Sequence, residues 1–258
     1  MTAAHSARRQ FLADYAKIRS AEGRGSADSA YYRALPFADL TGRNSAQWRI
    51  RARTFEYFAL HVLPRSACRV LDLGAGNCWL SHRLATLGHS PVAVDIFADA
   101  QDGLAAWRHY PEPFAVVEAD FNELPFAPAS FDLIVFNSSI HYSDDYAKTL
   151  AAARRCLRQR GRVVILDSPV YRRREHGVAM KVERQRLFER QYGTRSEALG
   201  SIEFFDLETL ESLARELSLQ WKIYRPWYGW KWHLRPVQAW LKRRRPPSRF
   251  WILEASFQ

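Results

Sequence analysis

Asp72, Gly74, Gly76 and Asp95 are the residues whose types and spacing first suggest chemistry. A short apolar run, Arg-Val-Leu-Asp-Leu at 69–73, enters Gly74-Ala75-Gly76 and then a helix-like stretch from Trp79. Glycines at such a strand end let the backbone turn tightly and approach a ligand, and the next helix offers unpaired N–H groups. Asp95 closes the following apolar run, 21 residues after Gly74. A carboxylate there can accept hydrogen bonds from both hydroxyls of a ribose. Acids at strand ends also cap helices, but here both come with the glycine turn. Together they specify a site for an adenosine-bearing cofactor at the carboxyl ends of parallel strands.

The dinucleotide fingerprint needs a third small residue where this chain has Trp79, and no GxxxxGK[ST] phosphate loop occurs. A cofactor with adenosine and a zwitterionic tail, but no phosphate, fits better. Asp72 would then attract its ammonium group. A nucleotide-cofactor oxidoreductase and a non-catalytic scaffold that keeps the cofactor fold are the alternatives.

These residues need a frame. Short apolar strands are expected at 69–73, 90–95, 114–118, 131–136 and 161–167, with helices at 79–87, 101–107 and 146–157 between them. Strands this apolar, each followed by a helix, form a parallel sheet covered on both faces. Helices at 175–192 and 206–217 and strands at 220–224 and 250–257 complete the pattern. Residues 1–65 read instead as a helical cap or lid, with helices at 6–21 and 45–63 and a Gly/Ser-rich loop at 22–29. Pro64 ends the second of these helices. The expected division is a cap at 1–65 and a core at 66–258 with an insertion at 225–249.

VLDLGAGNCWLSHRLA, VAVDIF, VEADFNELPFAPASFDLIVFNSSIHY and LRQRGRVVILDSP, in this order between residues 68 and 170, resemble the successive motifs of class I S-adenosylmethionine-dependent methyltransferases. The similarity is greatest to their small-molecule branch of the ubiquinone and menaquinone biosynthesis type. It implies a Rossmann-like, doubly wound α/β fold, whose seven-stranded sheet is mostly parallel with an antiparallel last strand. It also implies that S-adenosylmethionine is the cofactor and S-adenosylhomocysteine the product. By that resemblance Asp72, Gly74, Ala75 and Gly76 face the methionine part, and Asp95 holds the ribose. Ile96 packs on adenine, Asp120 accepts from its exocyclic amine, Phe121 flanks the ring and Asn137 lies near the methionine amino group. The chain departs from the family at Cys78, where a third glycine is usual and a small packed residue is expected. Arg160-Gly161 replaces the usual Pro-Gly-Gly.

Relatives commonly carry histidine at the place of His141. With an ordinary pKa near 6.5 it suits a general base toward a hydroxyl or an activated carbon; it could equally only shape the pocket. Tyr142 and Tyr32 are the candidate substrate contacts, and the stretch around Tyr31, Tyr32 and 37–48 a candidate lid. Arg49, Arg51 and Arg53 could reach the cofactor carboxylate, with at least two of them expected to be solvated. Ser138 and Ser139 replace both prolines of the [DN]PP[YFW] tetrad, which disfavours methylation of nucleic-acid bases.

Composition bounds the rest. With 258 residues, 47% hydrophobic and 25% charged, the chain can bury a real core. No long uncharged window suggests a spanning helix, and the N-terminus lacks the apolar stretch of a secretory signal. Cys68, Cys78 and Cys156 show no metal or disulfide spacing, so no metal is expected and a cytoplasmic location fits best. The net charge of +11 signals either an anionic partner or an arginine-rich coding bias. The stretch 225–249 has eight Lys/Arg, four Trp and no acid. It could rest peripherally on an anionic membrane, follow single-stranded nucleic acid (disfavoured), or cover the cleft with its basic side solvated. The expected activity is methyl transfer to oxygen or carbon of a small or lipid-like molecule.

Overall fold

Seven strands form one sheet in the order β3-β2-β1-β4-β5-β7-β6. The computed structural model describes residues 3–258, so the first two residues of the expected cap lie outside it. Strands β1 (Arg69–Leu73), β2 (Ser90–Asp95), β3 (Ala115–Glu118), β4 (Phe131–Asn137) and β5 (Leu157–Leu166) run parallel. The last strand, β7 (Ile252–Phe257), lies antiparallel between β5 and β6 (Leu219–Tyr224). The expected doubly wound sheet with its antiparallel last strand is therefore the one observed.

Because side chains alternate across a strand, the sheet builds two cores. One face sends Leu71, Leu73, Ile134 and Phe136 against α5 (Tyr146–Cys156) and α7 (Leu207–Glu216). The other sends Val70, Ala93, Leu133 and Val135 against α2 (Ser29–Ala34), α3 (Ser45–His61) and α4 (Trp79–Thr86). Trp48 and Phe55 of α3 meet the ring of Trp79 edge-on at 6.0 and 5.8 Å. Trp79, where the dinucleotide fingerprint has its third small residue, thus anchors α3.

The helix expected at 101–107 is displaced. Both Gln101 N–H and Asp102 N–H donate to Asp99 Oδ1 at 2.8 Å, an Asx arrangement that competes with a helix start. A 3-10 helix follows at Leu104–His109. The first helix, α1 (Ala3–Ala21), begins earlier than expected, and α6 (Arg174–Tyr192), α8 (Trp230–His233) and α9 (Arg235–Leu241) complete the chain. No helix among the described residues is long and apolar enough to cross a membrane. Nor does any group of three or more His, Cys, Asp or Glu among them form a metal site.

Candidate cofactor cleft and acceptor cavity

Strand order reverses direction at β1, flanked by β2 and β4, and a crevice opens there beyond the carboxyl ends. The turn after β1 is fixed by its backbone. Gly74 and Ala75 donate their N–H groups to Val94 O at 2.8 and 3.0 Å. Gly74 has φ +73°, and a Cβ there would run into Ser139, so glycine is required. Cys78 also sits in the left-handed region, φ +63°, which gives the family's usual glycine at this place a physical reason. Its thiol is fully buried, and burial holds its pKa well above the ordinary value. Cys78 is a packed residue here.

Three adjoining cavities follow the crevice. The first, about 170 Å³, is lined by Gly74, Gly76, Asp95, Ile96, Asp120 and Phe121, with Ser138, Tyr142, Phe11 and Tyr15. Asp95 accepts the N–H of Gly76 at 2.7 Å and that of Phe97 at 2.9 Å, so the second aspartate also locks the glycine turn. Burial raises its pKa despite these amides. Asp120 receives only the Asn122 N–H, at 2.8 Å on Oδ1.

The second, about 60 Å³, is lined by Gly74 through Asn77, Asn137, Trp48 and Arg51. Its polar groups are incomplete in complementary ways. Asn137 Oδ1 is buried without a hydrogen-bond partner. Arg51 stacks over Trp48 at 4.8 Å and touches Ser138 Oγ at 3.5 Å, but has no carboxylate ion-pair partner among the described residues. Burial, with Arg24 and Arg19 nearby, lowers its pKa to about 10. An acceptor oxygen and a cation facing the same small cavity as the glycine turn fit an amino-acid zwitterion. Arg49 and Arg53 are exposed, so one arginine of the three faces the cleft.

The third cavity, about 530 Å³, shares Tyr15, Arg51, Ser138 and Tyr142 with the second. His141 lies in its wall, Nδ1 at 3.3 Å from Ser168 Oγ. Burial first, then Arg51 and Arg184, pushes its pKa down to about 4, so the imidazole is neutral at neutral pH. Asp167, just after β5, lines the same cavity. Its Oδ1 accepts the Thr54 hydroxyl at 2.6 Å, and its Oδ2 is buried without a partner. Burial raises its pKa.

Two expected site residues stand apart from these cavities. Asp72 is fully buried behind the turn, takes the Ser81 hydroxyl at 2.7 Å and lines none of the three. Its expected hold on an ammonium group has no contact surface. Tyr32 is also fully buried, stacked on His109 at 4.1 Å with its hydroxyl 2.6 Å from Gln101 O. It ties α2 to the loop after β2 and does not reach an acceptor. The aromatic roof comes instead from α1. Phe11 and Tyr15 meet Tyr142 at 5.8 and 5.9 Å, and Tyr15 meets Phe97 at 5.2 Å. An Arg19–Asp102 ion pair and the Thr194–Asp14 hydrogen bond, 2.7 Å, hold that helix down. Phe11, Tyr15 and Ile18 repeat at i, i+4 and i+7, a helical stripe that was available in the sequence.

Residues 71–165 match the family model described as a methyltransferase domain. The dimethylglycine N-methyltransferase of Parasynechococcus marenigrum is 37% identical over 109 residues, 41% of this chain and 39% of that protein. A malonyl-[acyl-carrier protein] O-methyltransferase of Erwinia pyrifoliae is 32% identical over 108 residues, 40% of this chain and 38% of that one. The chain thus spans about two fifths of the length of these curated relatives. Among solved structures, a putative sarcosine dimethylglycine methyltransferase from Galdieria sulphuraria superposes with TM-score 0.56 at 18% identity, covering 83% of this chain and 86% of that one. Phosphoethanolamine N-methyltransferase 2 from Haemonchus contortus, in complex with S-adenosyl-L-methionine, gives 0.55 at 14%, covering 80% and 52%. Sheet order, glycine turn and matched domain agree: residues 71–165 are a methyltransferase domain, and the chain shares the fold of these methyltransferase structures.

Proposed function

We propose that this protein transfers a methyl group from S-adenosylmethionine to oxygen or carbon of a small or lipid-like molecule bound in the third cavity. The observation that carries the reading is the shared wall: Ser138, Tyr142 and Arg51 border both the zwitterion-complementary cavity and the larger one. The cofactor supplies an electrophilic methyl on a sulfonium. The chain's task is then alignment and handling of the acceptor's proton. Asp95 accepts from the ribose, Ile96 and Phe121 flank the adenine and Asp120 accepts from its amine. Backbone groups of Gly74–Gly76, with Asn137 and Arg51, hold the methionine end. Tyr142 separates the two compartments. His141, neutral and facing the acceptor, accepts a hydrogen bond from a hydroxyl acceptor, orients its lone pair and takes that proton as the oxygen is methylated. Asp167 Oδ2 offers a second anchor for a donor on the same molecule.

Titration calorimetry with S-adenosylmethionine and, separately, NAD tests the cofactor; binding of NAD alone sinks the reading. Transfer of labelled methyl into a cell extract, partitioned between organic solvent and water, then tests the acceptor class. Label confined to protein or nucleic acid rules out a small acceptor.

A further inference from the structure

The stretch 225–249 does two things at once. Leu234 has right-handed helical dihedrals, φ −81° and ψ −10°, and joins α8 to α9. Its N–H donates to Trp230 O and its carbonyl accepts from Gln238 N–H, both at 3.0 Å. The path therefore turns as one helix from Trp230 to Leu241. At about 100° per residue, positions 230, 234, 237 and 241 share a side, with 240 at its edge. Trp230, Leu234, Val237, Trp240 and Leu241 are 75%, 49%, 52%, 75% and 68% exposed. The opposite side faces inward: Arg235 stacks over Trp232 at 3.1 Å, and both line the third cavity.

Lys231, Lys242, Arg243 and Arg244 are exposed around this apolar face, and none has an ion-pair partner among the described residues. A shallow groove beside it is lined by Arg235, Lys242, Arg243, Arg244 and Arg245. Its acid, Glu183, is taken up by Arg245 at 2.7 Å. A second copy meeting this face would set Lys231, Lys242, Arg243 and Arg244 against the same four cations, with no acid in the stretch to neutralise them. Single-stranded nucleic acid could stack on Trp230 and Trp240, but it would also cover Leu234, Val237 and Leu241, which offer no ring for a base. Exposed tryptophans, branched aliphatics and a cationic border on one short helix match the boundary between headgroups and acyl chains.

We propose that residues 230–244 dock on the surface of an anionic lipid bilayer, with the five apolar side chains entering the headgroup boundary and the bordering cations meeting lipid phosphates. Docking stands without the methyl-transfer reading. The corollary that the acceptor is drawn from the same surface, past Trp232 and Arg235, rests on that reading.

The full chain is sedimented with vesicles of phosphatidylcholine alone and of equimolar phosphatidylcholine and phosphatidylglycerol, at low and high salt. It should pellet with the mixed vesicles, not with the neutral ones, and release as salt rises. The double variant Trp230→Ser/Trp240→Ser should bind at least ~10-fold more weakly. Its melting temperature and its heat of S-adenosylmethionine binding should be unchanged, since both residues lie on the outside. Absence of wild-type binding to mixed vesicles at low salt overturns the proposal. So does equal binding by the double variant, or capture of a thymidine homopolymer in preference to vesicles. Loss of cofactor binding by the wild type refutes methyl transfer and leaves docking intact.

Discussion

Asp72 offers the most direct quantitative test of the site's electrostatics. Burial moves its pKa from 3.8 to about 7, against the opposing hydrogen bond from Ser81. The folded state therefore holds a proton that the unfolded chain releases. A carboxyl whose folded pKa is raised contributes fully below its unfolded pKa and loses that contribution as pH climbs through the folded value. The whole span is about 3 units, roughly 4 kcal/mol. Between about pH 5 and pH 8.5 the linkage relation leaves roughly 3 kcal/mol of it. Asp72→Asn removes the titration while keeping size and one acceptor.

The stability difference between Asp72→Asn and wild type, from urea unfolding at several pH values, should therefore grow in the variant's favour by about 3 kcal/mol across that window. Ser81→Ala, by removing the donor that favours the ionised form, should steepen the wild-type dependence. Taking the difference between variant and wild type cancels Asp167, whose pKa is also raised by burial, and leaves of Asp95 only its coupling to Asp72. A difference that stays flat with pH refutes the reasoning, because it means that Asp72 is ionised throughout.

Three further outcomes can be measured without knowing the acceptor. Asp95→Ala should weaken S-adenosylmethionine binding by about 1–3 kcal/mol in calorimetry; unchanged affinity removes the ribose assignment. The His141 ring protons, followed by NMR, should show their midpoint near pH 4 and no transition near the ordinary histidine value; a normal midpoint means the ring is not desolvated. Gly74→Ala forces a Cβ into Ser139 at φ +73° and should cost about 1–3 kcal/mol in urea unfolding while abolishing cofactor binding. An alanine variant that melts and binds like wild type would show that the turn has another conformation.

The sheet was legible in the sequence because parallel strands buried on both faces are near-continuous apolar runs, and their ends coincide with turn residues. Strands 69–73 and 90–95 have the expected bounds. The stretch 101–107 was not legible in this way, since Asp99 caps two successive amides and delays the helix by three residues. Side-chain direction was harder still. Tyr32 and Asp72 have the right chemistry and the right neighbourhood in sequence, yet both point into packing.

The acceptor cavity was the least legible part, and its construction explains why. The cofactor cleft is lined largely by strand ends and the turns beside them, so a short motif at each end is enough to mark it. The cavity takes Arg19 from α1, Arg51 from α3, His141 after β4, Asp167 after β5, Arg184 from α6 and Trp232 from α8. Six elements far apart in sequence contribute; neighbours recur at helical spacing within α1, α3 and α6, but nothing in the spacing between elements brings them together. Asp167 illustrates the consequence. In sequence it is an acid after an apolar strand, like Asp72 and Asp95. Only the packing of Thr54 and Tyr228 around it leaves one oxygen satisfied and the other bare. On the proposed reading, acceptor choice is set by how α1, α3, α6 and the 225–249 segment close over a common sheet. Substitutions on α6 and in the 225–249 segment should change the acceptor without disturbing the cofactor, whereas α1 and α3 border both compartments.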